Sequence, residues 1–360
     1  MSVTVYSKSQ VDAVLLQLSR QPSTLLGNQA EVFYQVSAAA KQPDLAQCMQ
    51  IPQRLAINAP NHHMLFMPAR ALDTTAIKIV SVPKDGIPGG IPGTTLLFDD
   101  ETGVLKAVMD ASSLTAARTA AGSALATALV LPPGTSTVSG IAVYGSGAQA
   151  YWHALLLTSL YERTLEMVAF MVPKGRSSTR ARATLDRLKA ALMPERSSTL
   201  SFLVSENKNL LKHADIVCCC TPSTTPLFRM NSLKPGAHLN LIGSYKPHMQ
   251  EVEEQLVLQA QSRGLIMVDS ISSCRTEAGD LLKAEIDWTK TRELGTLVQP
   301  PPAVEVDVAA NERERSEMDV ASIGKDSTRF TIFKSVGIGA QDVAIAKLVQ
   351  RFASGQTVHV

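Results

Sequence analysis

The stretch that most constrains this chain is Gly145-Ser146-Gly147-Ala148-Gln149-Ala150, set between the apolar run 138–144 and the helix-forming run 151–160. The first glycine permits a tight turn, and the second lets backbone approach a pyrophosphate. Ala150 stands where a small residue allows helix and strand to pack closely. A helix starting there offers free N–H groups and the positive end of its dipole to phosphate. A glycine turn in an unrelated α/β domain is the bland alternative. The strand before and the helix after argue against it, and the pattern predicts a Rossmann dinucleotide-binding turn carried by Gly145, Ser146, Gly147, Ala148 and Gln149.

The rhythm around this turn sets the fold class. Downstream, LEMVAFMV, HADIVCCCT, HLNLIG and GLIMVDS read as strands, and SSTRARATLDRLKAALM reads as a helix, as a parallel sheet covered on both faces requires. Upstream, residues 7–20 read as a helix capped by Ser7. Residues 54–118 contain short strand-like runs broken by Pro, Gly and Asp, an antiparallel β region, and SSLTAARTAAGSALATALVL reads as an alanine-rich helix. The end of the chain reads as a strand, a glycine turn and a final helix. Residues 299–328 are charged and Pro-led, a long surface loop. A length of 360 residues suits two domains.

Composition excludes several classes. The net charge of +2 provides no field for nucleic acid or an anionic membrane. The N-terminus does not read as a signal peptide, and there is no uninterrupted apolar run of ~18 residues to span a bilayer. Five cysteines, three of them consecutive (Cys218, Cys219, Cys220), form no C-x-x-C pair. Reduced thiols in a cytoplasmic enzyme fit them best. His62-His63 lacks the spacing of a metal pair on a helix, so no metal is expected.

Beyond the second Rossmann strand, an acid would hold the ribose 2′-hydroxyl of NAD. Here the chain runs Pro173-Lys174-Gly175-Arg176-Ser177-Ser178. Two cations and two hydroxyls suit a 2′-phosphate, which favours NADPH with NADH as the alternative; a solvated basic loop is the plain reading. Lys78, inside TAIKIV, either faces solvent or enters a polar pocket. Arg54 and Arg118, taken singly, are ordinary surface cations.

Taken together, MPAR (67–70), Lys78 in IKIVS, PGTTLLFD, LTAARTAA, GSGAQA, TPSTTPLF, LKPGAHLNLIGS and TIFKSVGIGAQD resemble the ornithine cyclodeaminase and mu-crystallin family, which includes ketimine reductases. The resemblance runs from about residue 50 to residue 350. It implies a Rossmann NAD(P)-binding domain (121–329) inserted into an α+β substrate-binding and dimerisation domain (1–120 plus 330–360), and a homodimer acting on small α-amino or α-imino acids. Arg54, Lys78 and Arg118 match the family's two arginines and lysine that grip the substrate carboxylate. Thr119 and the glycine turn match cofactor contacts. Thr221, Pro222 and Ser223, with Gly243 and Ser244, would line the nicotinamide side.

One departure bears on chemistry. Cyclodeaminases carry an Asp two residues before the Pro of their strand-end motif, to handle protons on the amine. Tyr245 stands there in this chain, and a phenol with a pKa of about 10 is a poor base near neutrality. The expectation is therefore imine reduction, with Tyr245 filling space or donating a hydrogen bond. Cyclodeamination, amino-acid dehydrogenation and a mu-crystallin-like ligand-binding role are the alternatives.

Overall fold

A computed structural model describes residues 2–84, 90–173, 175–299 and 329–359. Lys174 and all but the first residue of the 299–328 stretch lie outside the described residues. The chain divides into two units, Met1–Thr119 with Gly337–Val360, and Ala120–Val336.

The first unit is built on β1 (Ser2–Tyr6), β2 (Met49–Gln50), β3 (Leu55–Asn58), β4 (His62–Ala71), β5 (Thr74–Pro83), β6 (Gly93–Asp99) and β7 (Leu105–Asp110). With the C-terminal strand Gln356–His359 they form one sheet, ordered C-terminal strand–β1–β7–β6–β5–β4–β2, with β3 beside β4. β4 to β7 form an antiparallel meander. Leu72 (φ 56°) and Gly103 (φ 69°) take left-handed backbone at two of its turns. Helix α1 (Lys8–Ser19) begins in a capping box: Ser7 and Gln10 satisfy each other's backbone N–H. Helices α2 (Ser23–Ala39) and α3 (Pro43–Cys48) follow. Helix α4 (Ala111–Val130) is the expected alanine-rich helix, begun one residue early, and it trims the β region to end at Asp110.

Side chains on a strand alternate between faces. In β5, Ala76, Lys78 and Val80 point inward while Ile77 and Ile79 are half-buried. The C-terminal helix, Gly339–Phe352, packs across β4, β5 and β6. The solvent-facing alternative for Lys78 is thereby excluded.

The second unit holds β8 (Gly140–Tyr144), α5 (Ala148–Leu160), β9 (Met167–Met171), α6 (Thr179–Ala191), β10 (Ser201–Ser205), β11 (Ile216–Cys219), β12 (His238–Leu241), β13 (Leu265–Val268), β14 (Arg292–Glu293) and β15 (Thr331–Lys334). Its strands pair in parallel throughout, in the order β10–β9–β8–β11–β12–β15–β13–β14. Strands β8, β11, β12, β13 and β15 are wholly buried, which explains the unbroken apolar runs of β8, β11 and β13. This is the Rossmann layout, and the strand order reverses between β8 and β11, where such sheets bind nucleotides. No described helix is long and apolar enough to cross a membrane.

Candidate active site

In the first unit a buried charge cluster gathers around the C-terminal helix. Asp342, in its first turn, places Oδ2 2.7 Å from Lys78 Nζ and accepts from Arg118 Nε through Oδ1 at 3.0 Å. Arg118 Nη1 donates to Gln341 Oε1 at 3.0 Å, and Gln341 Nε2 donates to Gln29 Oε1 on α2 at 3.0 Å. Lys78, Arg118, Gln341 and Asp342 are all at most 5% exposed. Arg54, half-buried before β3, donates to the Gly337 carbonyl at 3.4 Å. Gly337 has φ 85°, and a Cβ there would sit 2.8 Å from both terminal nitrogens of Arg118. Only glycine gives that turn and that clearance together.

Electrostatics follow from this packing. Burial pushes the Lys78 pKa down to about 8, with Arg118 and Arg54 acting the same way and Asp342 opposing. Burial alone would raise the Asp342 carboxyl, but Arg118 and Lys78 outweigh it and hold it below its usual value. Two buried cations, Lys78 and Arg118, face the carboxylate of Asp342. Among the described residues, Arg118 Nη2 donates to none and Lys78 Nζ pairs with Asp342 alone. The cluster therefore has donors and net positive charge to spare for one further anion, and a planar carboxylate matches a guanidinium edge.

The second unit carries the expected cofactor residues. Gly145 has φ 120°, and a Cβ there would meet the Cys220 carbonyl at 2.7 Å, so β8 and β11 close tightly at the point of reversal. A Cβ on Gly147 would meet nothing within 4 Å. Gly147 is the N-cap of α5 and offers no side-chain cap, leaving the first-turn N–H groups of α5 for a ligand. Thr184 on α6 donates to the Ser146 carbonyl at 2.9 Å and fixes the turn from behind. Ala148 is exposed and Gln149 half-buried at the start of α5. These features fit a dinucleotide pyrophosphate. Arg176 and Ser177 are exposed beyond the end of β9; Ser177 Oγ donates to Thr179 Oγ1 at 3.0 Å.

Thr221, Pro222 and Ser223 follow β11, and Gly243 and Ser244 follow β12. A carboxylate missed in the sequence joins these two loops. Glu251 Oε1 accepts from Thr221 N at 2.7 Å and Thr221 Oγ1 at 2.8 Å, and Oε2 accepts from Gly243 N at 2.7 Å. Lys334 Nζ donates to Ser244 Oγ at 2.8 Å. Tyr245 packs its ring against the apolar core of this unit, with Lys246 Nζ 5.8 Å from the ring centroid.

The structure thus gathers Arg54, Lys78 and Arg118 in the first unit, and gathers the glycine turn and the strand-end loops in the second. Thr119 falls in the first unit beside Arg118, its hydroxyl donating to the Thr115 carbonyl at 2.8 Å. Tyr245 belongs to the second unit. Asp342 was the principal omission. It closes TIFKSVGIGAQD, a segment that carries the family resemblance, but nothing local in the sequence shows which cations it meets.

Comparison with known proteins places the chain. The ornithine cyclodeaminase/mu-crystallin family model matches residues 23–356. The chain is similar to ketimine reductase mu-crystallin of Mus musculus, 28% identical over 305 residues and covering 83% of each protein. It is also similar to Delta(1)-pyrroline-2-carboxylate reductase of Bacillus cereus, 27% identical over 341 residues, covering 92% of this chain and 95% of that one. Among solved structures, Thermococcus litoralis Delta(1)-pyrroline-2-carboxylate reductase in complex with NADH and L-proline matches with a TM-score of 0.75 at 19% identity, over 99% of this chain and 100% of that one. Iminosuccinate reductase of Paracoccus denitrificans in complex with NAD+ matches with a TM-score of 0.72 at 20% identity, over 100% of both chains. These two share the fold of this chain. The chain is a member of the ornithine cyclodeaminase/mu-crystallin family.

Proposed function

We propose that this protein, an NAD(P)H-dependent oxidoreductase of carbon–nitrogen bonds, reduces a small α-imino acid to the amino acid. The observation that carries the reading is the buried pairing of two cations, Lys78 and Arg118, with the carboxylate of Asp342, with Arg54 close enough to act on Lys78. Uncompensated charge is costly to bury, and a substrate carboxylate would complete the balance and fix the orientation of the imine. A bound nicotinamide would supply the hydride that the imine carbon accepts. The imine nitrogen needs a proton, and Lys78, titrating near 8, can give one near neutral pH; a bound water is the other source.

Gly145, Ser146, Gly147, Ala148 and Gln149 would hold the pyrophosphate. Arg176 and Ser177 favour a 2′-phosphate and hence NADPH over NADH. Thr119, Thr221, Pro222, Ser223, Gly243 and Ser244 would contact the nicotinamide half. Tyr245, seated against core rather than offering a carboxylate, supports reduction over cyclodeamination. A cytoplasmic homodimer is the expected form. The sheet of the first unit supports the dimer, since Leu55 and Ile57 are exposed on β3, aligned with Phe66 and Met64 of β4, an apolar face suited to a second copy.

The test supplies the protein with NADPH and piperideine- or pyrroline-2-carboxylate. NADPH oxidation with formation of the cyclic amino acid is expected. Ammonia release from ornithine with catalytic NAD would point to cyclodeaminase chemistry, and net NADH formation from an amino acid to dehydrogenase chemistry. Tight ligand binding without turnover would point to a mu-crystallin-like binding role.

A further inference from the structure

We propose that Glu251 is a positioning residue for the nicotinamide, a buried carboxylate that clasps the loops after β11 and β12 and loosens them when it takes up a proton. The inference rests on the reading that Thr221–Ser223 and Gly243–Ser244 contact the nicotinamide half of the cofactor.

The geometry is that of a clasp. Glu251 is fully buried and accepts three hydrogen bonds, two from Thr221 and one from the Gly243 amide. Its backbone carbonyl accepts from Leu227 N at 2.8 Å, and the neighbouring Gln250 N donates to the Ser223 carbonyl at 2.8 Å. The loop after β11 is thus held along its length by residues 250 and 251. Gly243 is pressed against that loop so closely that a Cβ would sit 1.9 Å from the Thr221 carbonyl. Asp280 seats the clasp in turn, with Oδ1 accepting from Glu251 N at 2.7 Å and Val252 N at 3.1 Å. Its Oδ2 accepts from the Ser244 hydroxyl.

All three donors to Glu251 point at carboxylate oxygens. A protonated carboxyl loses its negative charge and gives one acceptor site to a hydrogen, so these charge-assisted bonds weaken. The charged groups acting on Glu251 are Asp280 on the short helix Gly279–Lys283 and Lys334 at the end of β15. The thiols of Cys218, Cys219 and Cys220 also neighbour it, and burial pushes their pKa values up, leaving them neutral near pH 7. Burial first, and Asp280 second, push the Glu251 carboxyl up to about 7 against the pull of Lys334 and Thr221. The clasp is therefore closed above neutrality and opens as pH falls below it.

The experiment measures dissociation constants of the full-length protein for NADPH and for 2′-phospho-ADP-ribose, which lacks the nicotinamide, by calorimetry from pH 5.5 to 8.5. Taking the ratio cancels titration of the shared 2′-phosphate. The preference for NADPH should fall several-fold on acidification through pH 7, bounded by about tenfold per pH unit for one coupled proton. Glu251→Gln should show the acid-form ratio at every pH. Asp280→Asn should move the midpoint to lower pH. A flat ratio in the unmodified protein, or a Glu251→Gln variant that keeps the full pH dependence, overturns the clasp. So does a variant that weakens both nucleotides equally. Failure of either nucleotide to bind overturns the cofactor reading beneath it.

Discussion

Replacing Lys78 by methionine should make the protein more stable and catalytically inert. Lys78 is 2% exposed, and burial lowers its pKa from 10.5 to about 8. At about 1.36 kcal/mol per pKa unit, the ammonium form costs the fold roughly 3 kcal/mol relative to a solvated lysine. Methionine fills similar volume without the charge and leaves the Asp342–Arg118 pair in place. The sign follows from proton counting. Between about pH 8 and 10.5 the unfolded chain binds more protons at this site than the folded one, so native stability rises with pH across that window. Below pH 8 the full penalty is present. Denaturant melts at pH 7 should therefore show Lys78→Met more stable by roughly 3 kcal/mol, with the advantage fading as pH approaches 10.5. Activity should fall at least about thirtyfold through loss of a buried charge contact to the substrate carboxylate, with cofactor binding retained. A variant less stable than the parent at pH 7, or an advantage independent of pH, would refute the electrostatic account of the cluster.

The remaining predictions concern neighbouring parts of the same machinery. Asp342→Asn leaves Lys78 and Arg118 without their counter-charge and should cost about 3–5 kcal/mol in chemical denaturation; because Asp342 raises the Lys78 pKa, the alkaline limb of kcat/KM should also move to lower pH. Gly337→Ala combines an unfavourable positive φ with a methyl 2.8 Å from the Arg118 nitrogens, so steady-state kinetics should show a raised KM for the imino acid with an unchanged Kd for nucleotide. Arg176→Ala should weaken NADPH by about tenfold or more and leave NADH nearly unaffected, measured by titration of each nucleotide.

Local signals in the sequence located many of the elements and missed the distant pairings. Ser7 announced the start of α1, and the β8–turn–α5 unit was readable because every residue it needs is contiguous. The sheet of the first unit was harder. The C-terminal strand pairs Val358 with Val3, a register between opposite ends of the chain that no local pattern encodes. β10, SFLVS, escaped notice because it is short and only half-buried. The alternation in TAIKIV fixed which residues share a face with Lys78, but not which face is covered; that depends on a helix more than 250 residues later. The same separation hid Asp342, the partner that makes burial of Lys78 and Arg118 tolerable. The resemblance implied that the three cations grip a substrate carboxylate; the structure supplies a carboxylate of the chain's own, Asp342, to Lys78 and Arg118. Glu251 was invisible for a related reason, since its partners Thr221 and Gly243 converge only when β11 and β12 pair.

The central claim is hydride transfer to an imine carbon whose carboxylate is held by Arg54, Lys78 and Arg118. Its most direct test is to run the reaction with NADPH deuterated on the transferring face of nicotinamide C4 and a cyclic α-imino acid, and to locate the label by mass spectrometry and NMR. A single deuterium at the α-carbon of the amino acid product, lost together with turnover in the Lys78→Met variant, is the predicted result. Absence of label at that carbon, or equal turnover by the variant, would contradict it.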